Sequence, residues 1–134
     1  MNRPIWMLIV AFTLSLVPMG CSNSPASQPE FVGTWVGSGG GTISTVVFTE
    51  TSFSSTDTGT SPGVFSSTIQ RVDTGAKHIL VICTASSGAY LTTFGISVGD
   101  SIYITYSISG NSLYLGVGTT SYPLATPAGP YIKQ

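Results

Sequence analysis

From Phe31 onward apolar residues recur at every second position over short stretches, and Gly, Asn, Asp and Pro separate the stretches at short intervals. This period belongs to strands with one buried face, and no convincing helical repeat competes with it. The sharpest case is Ile102, Ile104, Tyr106 and Ile108, which alternate with Tyr103, Thr105 and Ser107 and are followed by Leu113, Leu115 and Val117 on one parity. A two-residue loop at Gly110-Asn111 sets Ile108 opposite Leu113, Tyr106 opposite Leu115 and Ile104 opposite Val117, so the large groups share a face. A slip of one residue would place Leu113 opposite Ser107 and split that face, so pattern and turn select one register.

A second hairpin is predicted about Glu50-Thr51, which brings Phe48 against Phe53 as a cross-strand aromatic pair. A third runs from Phe65 to Val72, turns through residues 73–77 and returns from His78 to Thr84. Its return strand is apolar on both faces, which requires a loop, a terminal segment or a partner over the outer one. Strands are predicted near 31–37, 43–49, 52–57, 64–72, 78–84, 101–108 and 112–117, with short ones near 89–94 and 130–133. The fold class is therefore all-β. Consecutive short hairpins give an up-and-down antiparallel meander, which removes its edges by closing into a small barrel of about eight strands. The same strand count also allows a two-sheet β-sandwich; the local connections favour the barrel.

The amino terminus follows different rules. A short basic segment with Arg3 precedes the apolar run Ile5 to Val17, broken only by Thr13 and Ser15, and Pro18-Met19-Gly20-Cys21 follows. This run is far short of the roughly 20 residues a permanent transmembrane helix needs, so residues 1–20 read as a signal-peptide helix. Residues 21–30, rich in Ser and Pro, read as a flexible tether, and residues 31–134 as one domain. Cys21 and Cys83 are the only cysteines. Cys83 lies in an apolar strand, where a buried free thiol is expected.

Two resemblances follow from these residues. Pro18-Met19-Gly20-Cys21 resembles the lipobox of bacterial lipoproteins, although the usual Leu three residues before the cysteine is here Pro18. The resemblance implies cleavage before Cys21, acylation of Cys21 and a lipid-anchored life in the cell envelope, with Ser22 directing the protein to the outer membrane in a diderm host. Gly33-Thr34-Trp35, opening the strands directly after the tether, resembles the G-x-W signature of lipocalin-like barrels. It implies a Trp packed across the closed end of a barrel. The chain departs from that pattern in its short length, in lacking a clear helix after the strands, and in having Lys133 rather than Arg as its late cation.

Composition narrows the chemistry. Only 7% of residues are charged and the net charge is -1, which supplies no electrostatic footprint for nucleic acid. His78 is the only imidazole, too few ligands for an ordinary zinc or iron site, and no cofactor is expected. Asp73 and His78 flank one turn, but no serine stands in a G-x-S-x-G elbow, and a solvated turn cluster of Asp73, Lys77 and His78 is the simpler reading. Asp57, Asp73 and Asp100 are read as turn residues, and Gly37 to Gly41 as a flexible loop. The protein is therefore expected not to be an enzyme. Trp35, Phe48, Phe53 and Tyr106 are the inward aromatic candidates for a ligand site, while Tyr103 and Tyr114 point outward. The expected function is binding of a small apolar molecule by a membrane-anchored barrel. The alternative is a filled, ligand-free barrel serving as an interaction or inhibitor module for a protein or glycan.

Overall fold

The computed structural model describes residues 27–134. The signal segment, Cys21 and the first part of the tether lie outside the described residues. Eight strands follow one another around a closed antiparallel barrel, each hydrogen-bonded to its neighbours in sequence. They are β1 (Gly33–Gly39), β2 (Thr42–Phe48), β3 (Ser52–Gly59), β4 (Gly63–Asp73), β5 (His78–Gly88), β6 (Ser101–Ser109), β7 (Ser112–Gly118) and β8 (Ala128–Lys133). Closure removes the sandwich alternative, because β8 pairs with both β7 and β1.

The registers are those the alternation predicts. Ile108 faces Leu113, Tyr106 faces Leu115 and Ile104 faces Val117 across the β6–β7 hairpin. Phe48 faces Phe53 across β2–β3, their rings stacked 4.6 Å apart. The Thr49 hydroxyl secures that second turn by accepting from the amides of Thr51 and Ser52 at 3.2 and 2.9 Å. In the third hairpin Asp73 faces His78. Irregularities between Ser66 and Ser67 and between Ile69 and Arg71 interrupt this longest pair. Such bulges bend a strand and increase its twist, which a small barrel needs in order to close.

Four expectations are corrected. The strand predicted near 89–94 is instead a single helical turn, α1 (Ala89–Thr92), because Gly88 leaves the extended conformation at φ 60° and the Ala89 amide donates to Pro62 O at 3.0 Å. The first strand begins at Gly33, and Phe31 lies before it as a fully buried plug over one end of the barrel. The glycine run is not a loop: Gly37 and Gly39 belong to β1, and only Gly40-Gly41 form the tight turn into β2. Finally, Asp57 lies within β3 rather than in a turn, whereas Asp73 and Asp100 do hold turns, accepting from the amides of Ala76 (2.9 Å) and Ser97 (2.8 Å).

The two ends of the barrel differ. The β2–β3, β4–β5 and β6–β7 turns share one end with Phe31, and the β1–β2 and β3–β4 turns, α1 and the β7–β8 connection share the other. At the Phe31 end the interior is filled. Trp35 is 1% exposed and its indole Nε1–H donates to Phe31 O at 2.9 Å, while Phe31 packs edge-on against Phe48 and Tyr106, each at 5.4 Å. Lys133 sets its ammonium 5.1 Å from the Trp35 ring, a cation–π contact.

The outer face of β5 is partly covered, as its apolar outer positions demanded. The connection after β7 folds back along β6 and β7, the Thr105 hydroxyl donates to Pro123 O at 2.8 Å, and Tyr122 stacks on His78 at 4.0 Å. Gly116 permits this return, since a Cβ there would stand 2.1 Å from Ala125 O.

Candidate functional site at the open end

An aromatic ladder connects the two ends. From the Phe31 plug it passes through Phe48, Phe53, Phe65, Tyr90 and Phe94, with successive ring centroids 4.6 to 5.9 Å apart. Its last two members do not belong to the sheet. They come from α1 and the residues after it, and with Ile96 they form a partial lid over the interior. The lid is tied down by backbone hydrogen bonds from Ile96 N to Tyr90 O (3.0 Å) and from Gly99 N to Cys83 O (2.9 Å).

Beneath the lid the interior is incompletely filled. Inward positions at this level carry Ser55, Val46, Leu115 and Ala128 in place of the large rings below, and an apolar pocket of about 70 Å³ remains. It continues outward into a vestibule of about 640 Å³. Tyr90, Ile96, Leu115, Val117, Ala128 and Tyr131 line both spaces. Phe94 and Val117 rim the vestibule with 60% and 52% exposure.

The mouth also carries one polar relay. Tyr90 donates from its hydroxyl to Ser55 Oγ at 2.7 Å, and Ser55 Oγ donates on to Asp57 Oδ1 at 3.4 Å. Asp57 shares the inward parity of Phe53 and Ser55 and lines the vestibule. Burial is the chief reason that the phenols of Tyr90 and Tyr131 ionise above their ordinary range, with the Asp57 charge adding to it. Both hydroxyls are therefore neutral hydrogen-bonding groups at physiological pH. Tyr131 reaches its place because Gly37 has no side chain: a Cβ there would stand 2.7 Å from the Tyr131 ring.

The four aromatic candidates are divided by this geometry. Trp35, Phe48 and Tyr106 fill the closed half, while Phe53 forms part of the floor of the inner pocket. Tyr90, Tyr131 and Asp57 complete the site without having been candidates. Asp57 alternates with Phe53 and Ser55, and that parity was the available signal for its inward aim.

Elsewhere, the predicted turn cluster is rearranged. Lys77 pairs with Glu30 rather than Asp73, and His78 stacks on Tyr122, whose hydroxyl accepts from Arg71 at 3.5 Å. Tyr103 and Tyr114 are half-buried outward residues, Tyr103 edge-on to Tyr122 at 5.1 Å. Cys83 is a buried free thiol that donates to Ala85 O at 3.5 Å, and burial raises its pKa. Among the described residues no three of His, Cys, Asp and Glu lie together as metal ligands.

Fold and site together define a small closed antiparallel barrel, plugged at one end and opening at the other into an aromatic-walled vestibule with a single carboxylate. No family model, curated protein or solved structure matches the chain.

Proposed function

We propose that this is a lipid-anchored binding protein of a bacterial cell envelope, whose lipocalin-like barrel takes a small apolar molecule at its open end. The supporting observation is the continuous apolar space running from the vestibule to the inner pocket. Ligand sites of small molecules occupy about 300–1,000 Å³, a range that includes the vestibule but not the inner pocket. The ligand therefore rests mainly under the lid, with a short aliphatic tip reaching inward. A benzene-sized group needs a cavity of about 150 Å³, so rings stay in the vestibule.

Acylation of Cys21 fits this arrangement. The chain enters the barrel at Phe31, at the plugged end, and β1 carries it about 3.3 Å per residue toward the mouth. An anchor at that end, reached through a flexible tether, leaves the mouth free to open to the periplasmic or external medium.

Two experiments test the reading. Intact mass of the membrane-fraction protein should match cleavage before Cys21 plus acyl chains, a modification abolished in Cys21→Ser; an unmodified chain removes the anchor. Titration with the neutral dye N-phenyl-1-naphthylamine should give saturable one-to-one fluorescence enhancement that Ala128→Trp abolishes by filling the space. Enhancement unaffected by Ala128→Trp would remove the site. A filled barrel presenting an interaction surface is the second reading, favoured by the exposed rim of Leu91, Phe94, Val98 and Val117. It predicts no dye binding and a protein partner that Phe94→Asp releases.

A further inference from the structure

Resting on that reading of the open end, we propose that the ligand is an amine, an ammonium group on a small apolar body, seated against Asp57 with Tyr90 and Tyr131 as its walls. Three observations support the proposal. First, Asp57 lines the vestibule from an inward strand position, half-buried and open to a ligand there, where it offers a carboxylate to a counter-charge. It accepts from Ser55 at 3.4 Å, long for a charge-assisted bond, and the Tyr90 hydroxyl also lies within reach of its carboxylate.

Second, no cation of the described chain reaches it. Arg71 lies toward the closed end of β4 and binds Tyr122, Lys77 in the β4–β5 turn pairs with Glu30, and Lys133 at the end of β8 sits over Trp35. All three belong to the plugged end. Of the five described carboxylates, Asp57 and Asp100 lie at the mouth, so the open end is net negative while the plugged end is balanced. This field attracts cations and repels fatty acids and other anions.

Third, the walls beside Asp57 are aromatic. Tyr90 and Tyr131 line the vestibule with Phe94 at its rim, and the faces of such rings attract ammonium groups, most strongly where water is excluded. Leu115, Val117 and Ala128 on the opposite side receive the apolar body. A metal ion does not fit the same place, because it would find a single carboxylate where calcium takes six to eight oxygens.

The probes are phenethylamine, its uncharged counterpart 2-phenylethanol and the anionic 3-phenylpropionate, titrated against the full protein by calorimetry and amide NMR. Phenethylamine is expected to bind at least about tenfold more tightly than the alcohol, and the acid least tightly, with shifts centred on Tyr90 and Tyr131. Asp57→Asn, in which the side-chain oxygen still accepts from Ser55, should erase the preference for the amine over the alcohol. A readout independent of variants is salt: the preference of the unaltered protein should shrink as ionic strength rises. Equal affinities for amine and alcohol, or a preference that survives Asp57→Asn, overturn the proposal while leaving an apolar site intact. Binding of none of the three also overturns it, and the neutral dye then decides separately whether the apolar reading falls as well.

Discussion

The closed and open halves of this barrel are made by the same strands with the same inward parity, yet one half is a core and the other a site. Near Phe31 the inward positions hold Trp35, Phe48, Ile104, Tyr106 and Leu113, all at most 1% exposed. Toward the mouth the inward positions of β2, β3, β7 and β8 bring Ser44, Ser55, Asp57, Val117 and Ala128, which are smaller, more polar, or both. An eight-stranded barrel has an interior that large side chains just fill, so where they shrink the strands cannot close the gap. The filled core and the candidate site are thus separated along the barrel axis. Rings at one end supply the buried area, and α1 with Tyr131 encloses what space remains at the other.

Substitutions in each half put this separation at risk. The largest effect is expected from Trp35→Ala, which removes a buried indole, its bond to Phe31 and its packing against Lys133. It should cost about 3–5 kcal/mol in urea denaturation, a large part of a small domain's stability. The Val32 amide, which donates to Pro29 O beside the plug, should also exchange faster. Gly116→Ala comes next: its methyl would collide with Ala125 O and force the returning connection away from β7, at a cost of about 1–3 kcal/mol, with NMR shifts reaching Tyr122 and His78. Unchanged shifts there would show that the returning segment is not held as described.

Tyr90→Phe should cost only about 1 kcal/mol, the worth of its hydrogen bond to Ser55, because the ring keeps its place on Phe65. A destabilisation as large as that of Trp35→Ala would show that the lid belongs to the core.

Alkali probes both halves together. Burial raises the pKa of Tyr106 in the closed half and of Tyr90 and Tyr131 at the mouth, so the fold favours their neutral forms. Their contribution to stability is complete below the unfolded value of about 10 and is lost as pH rises above it. Melting temperatures should begin to fall above about pH 8.5, where the unfolded Cys83 thiol ionises, and fall more steeply beyond about pH 10 as the tyrosines follow. The smallest effect concerns Cys83, which should resist Ellman's reagent in the native state and react on unfolding, since its thiol is buried and hard to ionise.

Much of the closed half was legible in the sequence. The parity of Ile102 to Ile108 against Leu113 to Val117 fixed a register through local pairing and a glycine turn, and Phe48 with Phe53 did the same across residues 50–51. The site was legible only in part. Phe53 was recognisable as inward, whereas Asp57 stood among Thr and Gly and read as a turn, although the strand continues through it to Gly59. Tyr90 and Tyr131 stood in the two segments read as short strands, near 89–94 and 130–133, with no partner strand or inward face assigned to either. One proved to be helical and the other to lie on the strand that closes the barrel.

The alternation, the turns and the hairpins are thus properties of the chain itself, because each depends on residues a few positions apart and on one buried face. It took the closed barrel to establish that β8 returns to β1, that α1 sets Tyr90 over the interior, and that Asp57 meets two tyrosines beyond the reach of Arg71, Lys77 and Lys133. These arrangements depend on contacts between segments far apart in the chain, whose geometry exists only once the sheet has closed.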